Sequence, residues 1–242
     1  MNKKYEITNV SVMLNEKTLY RIRALVDFGN VQAGDLGGYI EKEENLSHYD
    51  SAWVYGDAKV YGNALVCGDA KVYDDAEVYG NALVYGNALV YGNAKVYDNA
   101  WVYGNTLLYG NALVCCNAKV YDNAWVYSAA RVYDNAEICG KAKVCCDAWV
   151  CGNAKVYDND DYTTVKGFGT NFRTTTFFRC KDNLVRVSCG CFYGTIEEFR
   201  ERVKTTRTGK LAKEYLMIAD LMEYHFDEQK HEDTIEEDEY YE

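Results

Sequence analysis

The sequence predicts a mainly β chain organised around a parallel β-helix, and three observations predict it. From Ala52 to Asn159 a six-residue unit, Ala-x-Val-Tyr-Gly-Asn, repeats eighteen times without an insertion. A short fixed period of this kind is the signature of a solenoid whose units stack in one direction. The pair that follows each Tyr is Gly or Asp and then Asn or Asp at most copies, residues that tolerate the positive φ of a sharp corner. The 242 residues also include no proline, which suits a chain whose N–H groups nearly all join a ladder between coils.

The first element, residues 1–51, reads as a β-rich cap. It holds the strand-like runs Tyr5-Glu-Ile-Thr-Asn-Val-Ser-Val12 and Thr18-Leu-Tyr-Arg-Ile-Arg-Ala-Leu-Val26, then a glycine-containing lead-in, Val31 to Ile40. Near-identical repeats are prone to slip in register, and an atypical cap pins them and covers the terminal ladder edge.

Residues 52–159 form the repeat itself. Ala and Val stand two apart, so on an extended strand they face the same way, and the x residue and Tyr face the other. The x series mixes Trp53 and Leu65 with Lys59, Lys71 and Glu77, a column that no core accepts, so Ala and Val line the interior. Three strands and three corners make one triangular coil, which predicts six coils and a prism about 29 Å long at ~4.8 Å per layer. Each buried Val contributes roughly 1.5–3 kcal/mol.

Residues 160–226 change class. Thr174 to Cys180, a turn at Lys181-Asp-Asn183, and Leu184 to Cys191 predict a β-hairpin. Thr195-Ile-Glu-Glu198 is a capping-box start for a helix through about Lys204, and a second amphipathic helix is expected from about Leu211 to Phe226, giving a ββαα module. Residues 227–242 are strongly acidic and read as a solvated, disordered tail. The net charge of −11 gathers there, with twelve acidic against two basic residues from Leu211 onward, whereas 160–210 carry ten basic and six acidic. Negative charge placed off the prism faces argues against mimicry of DNA, and binding of nucleic acid is not expected.

Assigning every third unit to one face separates the outward residues. Face one carries Trp53, Lys71, Leu89, Leu107, Trp125 and Lys143, with Tyr55, Tyr73, Tyr91, Tyr109 and Tyr127 beside them. Face three carries Leu65, Leu83, Trp101, Lys119, Glu137 and Lys155, and face two is the most charged. The stacked Tyr column is read first as a stabiliser of successive coils. Two adjoining apolar faces are what a three-fold association buries, so a parallel homotrimer is expected through Trp53, Tyr73, Leu89, Tyr91, Leu107, Tyr109, Trp125, Leu65, Leu83 and Trp101.

Ten cysteines invite disulfides or metal, but five of them (Cys67, Cys115, Cys139, Cys145 and Cys151) occupy the Tyr column and none of these stacks directly on another. Cys189-Gly-Cys191 lacks the usual zinc or redox spacing. Free thiols, no metal and no cofactor are expected. No apolar run is long enough to span a membrane, and Met1-Asn-Lys-Lys-Tyr-Glu6 lacks the apolar core of a signal peptide, so the expected location is cytoplasmic.

The aliphatic position with a small residue two before it resembles the left-handed parallel β-helix of the hexapeptide-repeat superfamily, and the left hand is implied by that resemblance. The lead-in Ala33-Gly-Asp-Leu-Gly-Gly-Tyr-Ile-Glu-Lys-Glu-Glu-Asn-Leu-Ser-His48, the array, and the later Phe177-Phe-Arg179 and Cys189-Gly-Cys-Phe-Tyr-Gly-Thr-Ile-Glu-Glu-Phe199 together resemble hexapeptide-repeat proteins encoded by bacterial phages and prophages. The resemblance covers nearly the whole chain and implies origin and architecture more than chemistry.

Superfamily enzymes are acyltransferases that need a His base and often an extruded loop. Here His48, His225 and His231 all lie outside the coils, and nothing interrupts the repeat. An enzyme of that type is the first alternative and a structural phage component the second; catalysis is not expected. The leading expectation is a binding or assembly protein of phage origin, in the host bacterial cytoplasm, that antagonises a host defence system by sequestering a nucleotide signal or blocking a protein. The basic segment with glycines supplies the candidate ligand site: Lys166, Asn171, Arg173, Thr174, Thr175, Arg179, Lys181 and Arg186.

Overall fold

A repeat with an 18-residue coil needs a ladder of backbone hydrogen bonds from one coil to the next, and the strands form it. In the computed structural model, which describes residues 3–169 and 172–227, the Lys71 N–H donates to the Ala88 carbonyl at 2.9 Å and the Tyr73 N–H to the Val90 carbonyl at 2.9 Å. The same 17-residue offset recurs throughout the coils. The result is a β-solenoid of about seven parallel turns with an antiparallel sheet and two helices at its C-terminal end.

Each unit contributes a two-residue strand, such as Leu89–Val90, and the strands stack into three parallel sheets. Face one runs from Trp53–Val54 to Lys143–Val144, and face three from Leu65–Val66 to Lys155–Val156. Face two runs from Lys59–Val60 to Trp149–Val150, as the threefold assignment predicts. The Ala and Val columns are buried, with Val90, Val96 and Ala94 at 0% exposure.

The corners sit at positive φ, as their Gly and Asp content requires: Gly92 at 70° and Asp98 at 58°. Outside them, Asn side chains form ladders, with Asn63 donating to Asn81 at 3.1 Å and Asn81 to Asn99 at 3.0 Å. The Tyr columns stack as the stabilising reading expects. Tyr61 and Tyr79 lie with ring centroids 4.9 Å apart, and Tyr91, Tyr109 and Tyr127 follow at 5.0 and 4.9 Å.

Residues before Ala52 do more than cap. Strands β1 (Tyr5–Leu14) and β2 (Lys17–Ala24) form an antiparallel hairpin, and β2 pairs with β3 (Leu36–Ile40). β3 then pairs in parallel with Lys59–Val60, and Leu46 bridges in parallel to Val66. The lead-in is therefore an irregular first turn of the solenoid, and the array starts one turn later than the fold does. Gly37 and Gly38 are dictated by this packing, since a Cβ on Gly37 would stand 2.7 Å from the Trp53 ring and one on Gly38 2.6 Å from the Ala58 carbonyl oxygen.

Trp53 is corrected by the same packing. It is 1% exposed, enclosed by Tyr5 and Phe28 at ring distances of 6.0 and 5.3 Å, and it does not belong to an outward face. Lys4 locks the cap by donating to the Ala52 carbonyl at 2.8 Å, and burial pulls its pKa down to about 8.

The C-terminal module is larger than a hairpin. It is a four-stranded antiparallel meander, β4 (Tyr162–Phe168), β5 (Arg173–Arg179), β6 (Val185–Cys189) and β7 (Phe192–Thr195). Helices α1 (Ile196–Thr206) and α2 (Gly209–His225) follow. The outer strands are absent from the ββαα reading because Lys166-Gly-Phe-Gly169 and Phe192-Tyr-Gly194 carry turn residues, whereas pairing with β5 and β6 holds them extended. The capping box at α1 is present: the Glu198 N–H donates to Thr195 Oγ1 at 3.2 Å, and the Thr195 N–H to Glu198 Oε2 at 2.8 Å. The expected acidic tail beyond Asp227 lies outside the described residues.

β5 joins module to solenoid by its strand alternation. Phe177 faces the helices, while Phe178 and the following Cys180 enter the solenoid core. Ala154 and Cys180 form an antiparallel bridge, and Trp149 N–H donates to Thr176 Oγ1 at 3.0 Å, so the last coil edge is covered. Among the described residues no helix is long and apolar enough to cross a membrane.

Two predictions follow from the core and the stacks. Thr106, alone in the Ala column, is 0% exposed and its hydroxyl has no hydrogen-bond partner among the described residues. Thr106→Val is therefore expected to raise stability by about 1 kcal/mol, whereas Val96→Asp costs several kcal/mol, both read by denaturant unfolding. Burial raises the phenol of Tyr55 to about 12 and lifts those of Tyr61, Tyr79 and Tyr91 above the usual value. The folded chain thus keeps protons that the unfolded chain releases near pH 10. The stabilisation is complete below that pH and is lost as the pH rises from about 10 towards 12, which thermal melts by circular dichroism across this range will register as a falling Tm.

Candidate ligand-binding site in the C-terminal module

The basic residues of the module divide into those with carboxylate partners and those without. Lys166 pairs with Asp147, Arg179 with Asp161 at 3.2 Å, and Lys181 with Glu137 at 3.0 Å. Arg186 makes a bidentate pair with Asp182 at 2.7 and 2.6 Å, which pulls the Asp182 carboxyl down to about 2. Thr175 is buried with its hydroxyl on Cys189 Sγ at 3.1 Å. Asn171 lies outside the described residues. Of the seven that the structure describes, Lys166, Arg173 and Thr174 border one groove, whereas Arg179, Lys181 and Arg186 are spent on joining strands to neighbouring coils and turns.

Arg173 behaves differently. With Arg202 and Arg207 it lines a cavity of about 170 Å³ between the sheet and the two helices, floored by Phe168, Phe192, Phe199 and Tyr215. No carboxylate pairs with any of these three arginines among the described residues. Their placement follows from local structure. Arg173 opens β5 and its guanidinium lies over Gly190, whose φ of 62° makes the β6–β7 turn and where an added Cβ would stand 2.3 Å from the Arg173 nitrogen. Arg202 is on the last turns of α1, and Arg207 caps that helix, its backbone N–H donating to the Val203 carbonyl at 2.9 Å.

The aromatic floor is a cluster of mutually packed rings. Phe199 is buried and meets Tyr215 edge to face at 5.8 Å and Phe192 at 5.5 Å. The Tyr215 hydroxyl donates to the Phe168 carbonyl at 3.4 Å, tying α2 to the end of β4. Burial raises the Tyr215 phenol above its usual range, against the opposing pull of Arg207 and Arg173.

Arg173 also borders a second, open groove of about 700 Å³ between the module and face two. Thr174, Lys166 and Phe172 line it with Trp149, whose ring carries the Arg131 guanidinium at 4.9 Å. The cavity and the groove share Arg173 and Cys191. Solvent-exposed guanidinium donors around an aromatic floor, opening into a longer groove, suit an anionic head group followed by a planar ring.

Arg202, Arg207 and Tyr215 were not legible as site residues. They lie on helices whose amphipathic pattern reads as packing, and the one available signal was the basic excess of 160–210, which does not say which cations are left unpaired.

On the solenoid, Trp101 is 43% exposed on face three, while Leu65, Leu83, Leu89, Leu107, Trp125, Tyr73, Tyr91 and Tyr109 are half-buried. His48 stacks on Tyr5 at 4.2 Å within the cap, and burial lowers its pKa.

A family model described as the YdcK beta solenoid repeat matches residues 76–92, inside the coils. No curated protein matches the chain. The match agrees with the stacked-coil architecture.

Gly190→Ala tests the wall of the cavity. The new methyl displaces the Arg173 guanidinium at a positive-φ position, so stability is expected to fall by about 1 kcal/mol or more in denaturant unfolding.

Proposed function

We propose that this chain is a non-catalytic binding protein that holds a phosphate-bearing ligand with an aromatic ring, a nucleotide by class, in the cavity of its C-terminal module. The observation that carries this reading is the set of three guanidiniums, Arg173, Arg202 and Arg207, which have no carboxylate partner among the described residues and stand around an aromatic floor. Unpaired arginines in a partly enclosed site bind phosphate oxygens through charge-assisted, often bidentate hydrogen bonds, and a ring stacks on Phe or Tyr faces. The volume of about 170 Å³ takes a phosphate group, and the groove beyond Arg173 takes the remainder of the ligand.

The resemblance of the lead-in and of the Cys189–Phe199 segment to phage and prophage hexapeptide-repeat proteins supports a role in phage–host conflict. On this reading the chain acts in the host bacterial cytoplasm and withdraws a nucleotide signal from a defence system; a defence protein held on the solenoid faces is the other form of the same role. The coils supply a rigid stalk, and faces one and three, without Trp53, supply the apolar strip through which three copies associate.

Calorimetric titration with a panel of mono-, di- and cyclic dinucleotides tests the binding reading. One ligand per chain is expected, with affinity that falls as salt rises. Arg202→Glu and Arg207→Glu lie on exposed positions and leave the fold intact, and each is expected to weaken binding by on the order of tenfold to a hundredfold. Unchanged binding in both variants contradicts the assignment of the site. Light scattering after gel filtration tests the association: a trimer is expected, dissociating in Leu89→Glu/Leu107→Glu, and a monomer at all concentrations contradicts it.

A further inference from the structure

The corner column of the repeat is Gly or Asp at every copy except three, and one exception stands in an unusual setting. Cys116 occupies a corner at φ 61°, a conformation in which a Cβ carries a cost, and Cys115 before it replaces a Tyr. That replacement interrupts the stack Tyr61, Tyr79, Tyr97 on face two. Two consecutive departures from the repeat thus put two thiols where stacking and glycine would stabilise the coil.

The carboxylate one coil below completes the setting. Asp74, Asp122 and Asp134 each accept a hydrogen bond from the corner N–H one coil above, at 3.1, 3.2 and 3.0 Å. Asp98 makes no such bond to Cys116 among the described residues. Its carboxylate instead lies with both sulfurs in a group whose ligand atoms are all within 4.8 Å of one another. Cys115 is 9% exposed, whereas Asp98 faces solvent.

We propose that Asp98, Cys115 and Cys116 form a binding site for a divalent metal ion of the zinc class, held between two successive coils. The sulfurs are 3.7 Å apart. Two thiolates bound tetrahedrally at about 2.3 Å stand about 3.8 Å from each other, so the thiols are already set at the bite of such an ion. The other vicinal pair, Cys145 and Cys146, is at 3.1 Å and has no third ligand grouped with it among the described residues. Thiolate and carboxylate together select a borderline-soft ion over magnesium or calcium. Binding releases the thiol protons to solvent and ties one coil to the next.

Titration of the reduced, chelator-treated full chain with Zn²⁺ against a chromophoric chelator tests this, with Cd²⁺ as an absorbance probe of thiolate ligation. One equivalent per chain is expected, together with a rise in Tm. Cys115→Tyr and Cys116→Gly restore the repeat's own residues and so preserve the coil, and each is expected to abolish the site. Asp98→Gly, also a restoration, weakens it by about tenfold or more. Cys145→Tyr/Cys146→Gly leaves it unchanged. Absence of Zn²⁺ binding by the wild type, or binding that survives Cys115→Tyr and Cys116→Gly, overturns the proposal, as does binding that disappears with the Cys145 pair.

Discussion

The solenoid depends on the ladder in which alternate backbone N–H groups donate to a carbonyl 17 residues further on. That offset fixes an 18-residue coil, and the coil fixes which residues share a column. Once Ala and Val must fill the interior at every layer, no strand can gain or lose a residue without turning its side chains to the wrong side. The corners must then turn in the left-handed region, which explains the Gly and Asp of that column. A ladder of this kind has two open ends, and the remaining sequence is spent largely on closing them. The β1–β2 hairpin and Lys4 close one, and β5 with Phe178 and Cys180 closes the other.

Columns make departures informative. Where the Tyr column continues, ring stacks and Asn ladders repeat the same contact from coil to coil. Where it breaks, a different chemistry occupies the gap, as at Cys115 and Cys116 above Asp98. The module follows another logic. Its strands and helices bury Phe177, Phe199 and Met222, and its cations are used either to tie elements together or, at Arg173, Arg202 and Arg207, to line a cavity. The solenoid thus provides length and rigidity, and the module provides a concave surface.

The solenoid was almost wholly legible in the sequence because its information is periodic: one unit, read eighteen times, names the core, the corners and the faces. Three features were not. Trp53 carries the same x position as Trp101 and Trp125, but the Tyr5 and Phe28 side chains that cover it come from a segment with no repeat to align it. The outer strands β4 and β7 contain glycines that read as turns, and only pairing with β5 and β6 decides them. The basic segment did not disclose which of its cations are paired, because the partners of Lys166, Arg179 and Lys181 lie 18 or more residues away in sequence, at Asp147, Asp161 and Glu137. Arg202 and Arg207 come to the cavity only through the packing of helix α1 against the sheet.

The most direct test of the binding account is a native mass spectrum of the full chain after incubation with a mixed nucleotide pool that includes cyclic dinucleotides. The account predicts one retained nucleotide per protomer in the wild type and none in the Arg202→Glu/Arg207→Glu double variant. A wild-type spectrum free of nucleotide, or equal retention by the double variant, contradicts it.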